Sequence, residues 1–155
     1  MPRSKKTYKK QDIADPVYHS KSVGRFINRI MLHGKKTIAS KIIYHAMGEL
    51  SEDPKEAPQL LEEVLRKVMP EQEVRSRRVG GATYQVPMPV RFDRAQALAM
   101  RWLIAAAKAK KGRSMEEKLA EEFKLALKGE GDALKKREQV HKMADANKAF
   151  AHFKV

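Results

Sequence analysis

Residues 73 to 90 read EVRSRRVGGATYQVPMPV, a β-hairpin with three arginines on one arm in a chain that otherwise looks helical. Gly80 and Gly81 at the tip form a two-residue loop, because glycine enters the positive-φ conformations of such turns without steric cost. That placement pairs Val79 with Ala82, Arg77 with Tyr84, and Arg75 with Val86. Arg75 and Arg77 then share a face with Tyr84 and Val86, while Arg78 lies on the other with Ser76 and Thr83. Neither face can enter a hydrophobic core without desolvating a guanidinium, which costs several kcal/mol if it is unpaired. Pro87 and Pro89 cannot donate to a ladder and mark the base of an isolated ribbon rather than part of a larger sheet. The reading is therefore an arm that projects from a helical domain. An isolated ribbon is marginal in water, so it orders against a partner, with arginines gripping phosphates bidentately and Tyr84 stacking or packing. The alternative is a ribbon folded back on its own helices.

Outside the hairpin the apolar residues recur at helical spacing. From Ser22, the residues Val23, Phe26, Ile27 and Ile30 make one stripe, with Gly34 available as a left-handed C-terminal residue. Arg25 and Arg29 occupy the opposite face. A second helix turns Ile38, Ile42, Ile43, Ala46, Met47 and Leu50 inward. A third begins near Pro58, uses Leu60, Leu61, Val64, Leu65 and Val68, and must stop at Pro70. Beyond the hairpin, Asp93 offers an N-cap to a fourth helix with Leu98, Ala99, Trp102, Leu103 and Ala106 on its buried side. Arg94, Arg101 and Lys108 line a different face of it. Ser114 and Glu117 have capping-box spacing and open a fifth helix over 115 to 128, packing Met115, Leu119, Phe123 and Leu127. Gly129 and Gly131 end it. The sixth, over 132 to 155, has few large apolar side chains beyond Leu134, Val140 and Met143. It is expected to bind the core only in part, leaving Lys135, Lys136, Arg137 and Lys142 exposed.

The expected fold is mainly α: six helices in a bundle, with a two-stranded arm between the third and fourth. At 155 residues one domain is expected, with roughly two thirds of the unfolded chain's surface buried on folding. No repeat or low-complexity linker divides it.

Thirty-three Lys and Arg against 19 Asp and Glu leave a net charge of +14, which favours a polyanionic partner. Nucleic acid and an anionic membrane are the first candidates; no apolar run approaches the ~20 residues of a membrane helix, and of the two no membrane partner is expected. MPRSKKTYKKQ lacks the apolar region of a secretory signal, and Met1 is expected to open the mature, cytosolic chain. Residues 1 to 11 carry Arg3, Lys5, Lys6, Lys9 and Lys10 with no anion. Such a block is either a solubilising tail or an arm that orders on nucleic acid. Glu52, Asp53, Glu56, Glu62 and Glu63, then Glu116, Glu117, Glu121 and Glu122, hold nine of the 19 acids and are expected to point away from a polyanion. The cations concentrate instead in the arm, at Lys35 and Lys36, in the hairpin, in KAKKGR at 108 to 113 and in KKR at 135 to 137. One extended basic surface follows, and Arg25, Arg29, Lys108 and Arg113 are counted with it.

Chemistry is hard to find. With no cysteine, thiol nucleophiles and Cys-ligated zinc or iron-sulfur clusters are excluded. The five histidines show no HExxH pairing. GKKT at 34 to 37 lacks the earlier glycine of a phosphate-binding loop, since position 29 is Arg29, and VGGA lacks the strand-to-helix context of a nucleotide loop. No catalytic site, metal or cofactor is expected.

Four stretches together carry a resemblance. SRRVGGATYQVP at 76 to 87, GKK at 34 to 36, ALAMRWL at 97 to 103 and KKREQVHKMADANKAFAH at 135 to 152 closely resemble the bacterial form of the family of small-ribosomal-subunit protein seven, in the expected order. The resemblance implies six helices with a β-ribbon arm, and a primary binder of the 3′ major domain of 16S ribosomal RNA that nucleates assembly of the subunit head. It implies a position at the subunit interface near exit-site tRNA and mRNA, with small-subunit proteins nine and eleven as neighbours and no homo-oligomer. Carried over by motif, Lys35, Lys36, Arg75, Arg77, Arg78, Arg94 and Arg101 would face RNA. Gly80, Gly81, Lys142 and Met143 would approach exit-site tRNA, and AFAHFKV would lie toward protein eleven. The basic arm with Arg3, Lys5, Lys6 and Lys10 rests on charge alone. Pro89 stands where the family more often has an acidic residue, and the chain ends in Val155 where many bacterial members close with tryptophan. A DNA-binding protein with a minor-groove ribbon is the competing reading. A nucleotide-dependent enzyme would need a phosphate loop and carboxylates that are not found.

Overall fold

The computed structural model describes residues 14–153. Along them run α1 (Lys21–Ile30), α2 (Lys36–Gly48), α3 (Glu56–Val68), β1 (Gln72–Val79), β2 (Ala82–Pro89), α4 (Phe92–Ala109), α5 (Met115–Lys128) and α6 (Asp132–Ala146), then a 3-10 turn (Lys148–Phe153). The architecture is the expected six helices with a two-stranded antiparallel ribbon between α3 and α4. The ribbon register pairs Val79 with Ala82, Arg77 with Tyr84 and Arg75 with Val86, as the glycine placement requires.

The amphipathic stripes converge on α5, which packs against α2, α3, α4 and α6. Phe123 of α5 meets Phe26 of α1 edge to face, ring centroids 5.6 Å apart. Such a pair contributes about 0.5–1.5 kcal/mol beyond its area burial. Val23, Ile27, Ile43, Met47, Leu61, Leu65 and Leu103 close the same core. Ser114 caps α5 as its spacing to Glu117 predicts, Glu117 N–H donating to Ser114 Oγ at 3.3 Å while the hydroxyl donates to Glu117 Oε1 at 3.0 Å. Gly129, at φ 86°, ends α5 with the left-handed residue that a side chain would resist.

Several local expectations are corrected. α1 starts at Lys21, one residue before the expected Ser22, with Ser20 as N-cap, and its C-cap is Met31 rather than Gly34. The left-handed residues His33 and Gly34 (φ 53° and 72°) turn the chain toward α2 instead. Ile38 is exposed, because Ala39, Ile43, Ala46 and Met47 define the buried stripe and leave position 38 beside it. Leu60 and Trp102 are half-buried. α3 begins at Glu56, so Pro58 sits in a first turn where its missing N–H costs nothing. Asp93 does not cap α4: Arg91 is the N-cap, and Asp93 lies inside the first turn. The α4 core side is wider than one stripe, adding Ala95, Met100, Ile104 and Ala107, because α1, α3, α5 and α6 all touch this helix.

Glu122, one of the acids expected to point away from a polyanion, points into the protein itself. It is fully buried, accepts the Ala133 backbone N–H at 3.0 Å, and lies 3.0 Å from Lys110 Nζ. Gly131, the N-cap of α6, has no side chain to satisfy the first N–H groups, so α5 supplies the acceptor. Arg137 is likewise not exposed as expected: it is half-buried and donates to the Lys67 carbonyl at the end of α3.

The ribbon is less isolated than its sequence implies. Its base folds against α6 and β2 packs on the 3-10 turn. Glu73, Val86 and Pro87 are buried, and the Tyr84 ring sits 5.3 Å from Phe150. One face does enter an apolar contact, with Arg75 on that face paired to Glu73 rather than buried without a partner. The part from Arg78 to Thr83 remains exposed, so the arm projects only beyond its docked base.

Candidate nucleic-acid interface

The turn from α1 to α2 presents Lys35 and Lys36, both exposed, at the start of α2. Separately, α1 and α4 bring Arg25 and Arg29 to an open cavity of about 670 Å³, shared with Asn28, Asp93 and Gln96. Arg25 Nη1 donates to Gln96 Oε1 at 2.8 Å and to Asp93 Oδ1 at 3.2 Å. Gln96 donates in turn to Ser22 Oγ at 3.3 Å. This relay fixes the Arg25 guanidinium at the groove, while Arg29 is exposed beside it.

At the ribbon base, one carboxylate organises two of the expected arginines. Glu73 accepts from Arg75 Nε at 2.7 Å and from Arg94 Nε at 2.9 and 2.8 Å through its two oxygens. Burial pushes this carboxyl up, but the hydrogen bonds and charges of Arg94 and Arg75 outweigh it and hold it below the ordinary carboxylate value. Glu73 therefore locks β1 to α4 and aims both guanidinium groups, whose outer halves stay in solvent. Its position two residues before Arg75, on the same strand face, was the available signal.

Farther out, Arg78 is exposed and Arg77 is half-buried. Gly80 and Gly81 turn the tip at φ 57° and 91° with open space around them. Along α4, Arg101 and Lys108 are exposed, as is Arg113, which lies 3.5 Å from Glu121. In the KAKKGR segment Lys110 faces inward to Glu122, which leaves its side chain only 20% exposed. Lys142 and Met143 are exposed on α6. Tyr84, expected to meet a partner, packs on Phe150 instead, so the start of the C-terminal segment covers part of the ribbon. Arg3, Lys5, Lys6 and Lys10 lie outside the described residues. Sequence reasoning passed over Gln96 and also Phe92, an aromatic ring left 66% exposed at the start of α4.

Cations drawn from α1, the α1–α2 turn, the ribbon and α4, three of them (Arg25, Arg75 and Arg94) held by carboxylates that leave part of each guanidinium in solvent, offer polyanion binding rather than bond-making chemistry. The class is that of basic helical ribosomal proteins, and the family model described as Ribosomal protein S7p/S5e matches residues 2–148. Among the curated relatives, Small ribosomal subunit protein uS7 of Thermosipho melanesiensis is 54% identical over 141 residues, covering 90% of this chain and 91% of its own. Those of Pelotomaculum thermopropionicum and Chromohalobacter salexigens are 50% and 47% identical over 155 residues, covering 99% of both chains in each comparison. The chain belongs to the ribosomal protein S7p/S5e family. It is a structural, non-enzymatic protein of the small ribosomal subunit, and its place is with that subunit in the cytoplasm.

Proposed function

We propose that this protein binds the 3′ major domain of 16S ribosomal RNA directly, as a primary binder that nucleates assembly of the subunit head. The observation that carries the reading is the Glu73 clamp. It spends one buried carboxylate to orient Arg75 and Arg94 together at the root of a projecting ribbon, an arrangement suited to two phosphates of a folded RNA. Lys35, Lys36, Arg25, Arg29, Arg101, Lys108 and Arg113 extend the contact, and Arg77 and Arg78 carry it along the ribbon. The basic arm, with Arg3, Lys5, Lys6 and Lys10, adds neutralising charge. Recognition is of backbone shape rather than base sequence.

In this reading the tip at Gly80 and Gly81, with Lys142 and Met143 of α6, faces exit-site tRNA and the mRNA path. Small-subunit proteins nine and eleven are the neighbours, and the C-terminal segment lies toward the second. The test is crosslinking from residues 75 to 84 within assembled small subunits, followed by mapping of the RNA positions reached. Crosslinks confined to the 3′ major domain are expected. Crosslinks to another domain, or none to RNA, would overturn the assignment.

A further inference from the structure

Large apolar side chains that remain in water are few in this molecule, and Phe92 is the only aromatic ring among them in the described residues. It is the first residue of α4 and forms one wall of a groove of about 310 Å³ with Leu65 and Met69. Lys21 and Arg66 line the same groove, and Arg91 precedes Phe92 in the chain. All three are exposed and, among the described residues, form no ion pair. The acid at the groove, Glu62, already accepts from Ser22 Oγ at 3.4 Å. Arg25 and Gln96 border both this groove and the α1–α4 cavity, so the two adjoin.

A flat π-face with an apolar floor and cations at the rim suits a nucleobase better than a protein side chain. The base stacks on the ring, while the phosphates on either side meet Lys and Arg. An aliphatic partner would gain nothing from the cations, and a duplex could not present a base face. We propose that Phe92 is a stacking platform for one unpaired nucleobase of the bound RNA, with its flanking phosphates held by Lys21, Arg66 and Arg91. The proposal rests on the RNA-binding reading above and adds to it a contact that reads single-stranded character.

The full-length protein and its Phe92→Ala, Phe92→Leu and Phe92→Trp variants would be titrated onto a transcript of the 3′ major domain at several salt concentrations. Because the ring is exposed, thermal melts of all four should agree. Loss of a stacked base weakens binding by about tenfold, so Phe92→Ala and Phe92→Leu should both fall by that factor with an unchanged salt slope, and Phe92→Trp should bind as wild type. Wild-type affinity in Phe92→Leu would overturn the platform, since leucine keeps apolar area and lacks a π-face. If Phe92→Ala alone binds normally while Lys35→Ala with Lys36→Ala still weakens binding, the platform falls and the RNA reading stands. Absence of salt-dependent binding by the wild type would overturn both.

Discussion

Glu122 and Gly131 show how much of this fold turns on single residues. A carboxylate with no exposure is costly unless it is paired and hydrogen-bonded, and here it ties the end of α4, the middle of α5 and the start of α6 together. Glu122→Gln should keep the acceptor for Ala133 N–H but leave Lys110 without its main partner. The expected loss is about 3 kcal/mol, the lower end for breaking a buried pair, because the Lys110 side chain stays 20% exposed. Gly131 has φ 109° and ψ 162°, a region open essentially to glycine alone, and an added Cβ would meet Glu122 Oε1 at 2.8 Å. Gly131→Ala should therefore cost about 1–3 kcal/mol. Urea denaturation of both variants checks these values. At the surface, replacing Lys35 and Lys36 with alanine should leave stability unchanged while weakening RNA binding and flattening its salt dependence by up to ~2 units, if both meet phosphates.

Among the elements, the ribbon separates what local pattern reveals from what it does not. Its register and tip follow from Gly80, Gly81 and the period-2 alternation, all local information, and they match the structure residue by residue. Its docked base depends on Phe150 reaching Tyr84 and on Glu73 reaching Arg94, contacts between distant parts of the chain that no window contains. The helices divide the same way. The Ser114 cap was legible from its spacing, but Asp93 offered an equally plausible cap and Arg91 took the position. None of the core cluster comes from the ribbon. Deleting residues 76 to 85 should accordingly preserve the helical circular dichroism spectrum, and collapse of that spectrum would contradict the arm's independence. Acid should loosen the ribbon base. Glu73 is held below the ordinary value of 4.5, so it stabilises the fold above that pH and the contribution is lost as pH falls through the lowered value. NMR shifts of Arg75 and Arg94 side chains should follow that titration while core methyl groups remain fixed, and in Glu73→Gln the titration should vanish.

Over the whole molecule, a net charge of +14 was visible at once, and so was the segregation of cations from acids. The candidate surface read from it is largely exposed, apart from the half-buried Arg25 and Arg77 and the arm residues beyond the described chain. What composition could not reveal is which charges the fold consumes for itself. Lys110 and Arg137 face inward, and Arg75 and Arg94 share one carboxylate. Those assignments follow from three-dimensional proximity, as does the exposure of Phe92, because helical periodicity identifies the buried side and says little about the residue at a helix's first position. The central claim is that the remaining cations act together as one phosphate-binding surface on folded RNA. The most direct test is the affinity of the full-length protein for the 3′ major domain transcript as a function of salt. Eight phosphate contacts predict that log affinity falls against log salt with a slope of roughly 6 to 7, and a slope near zero would contradict the account.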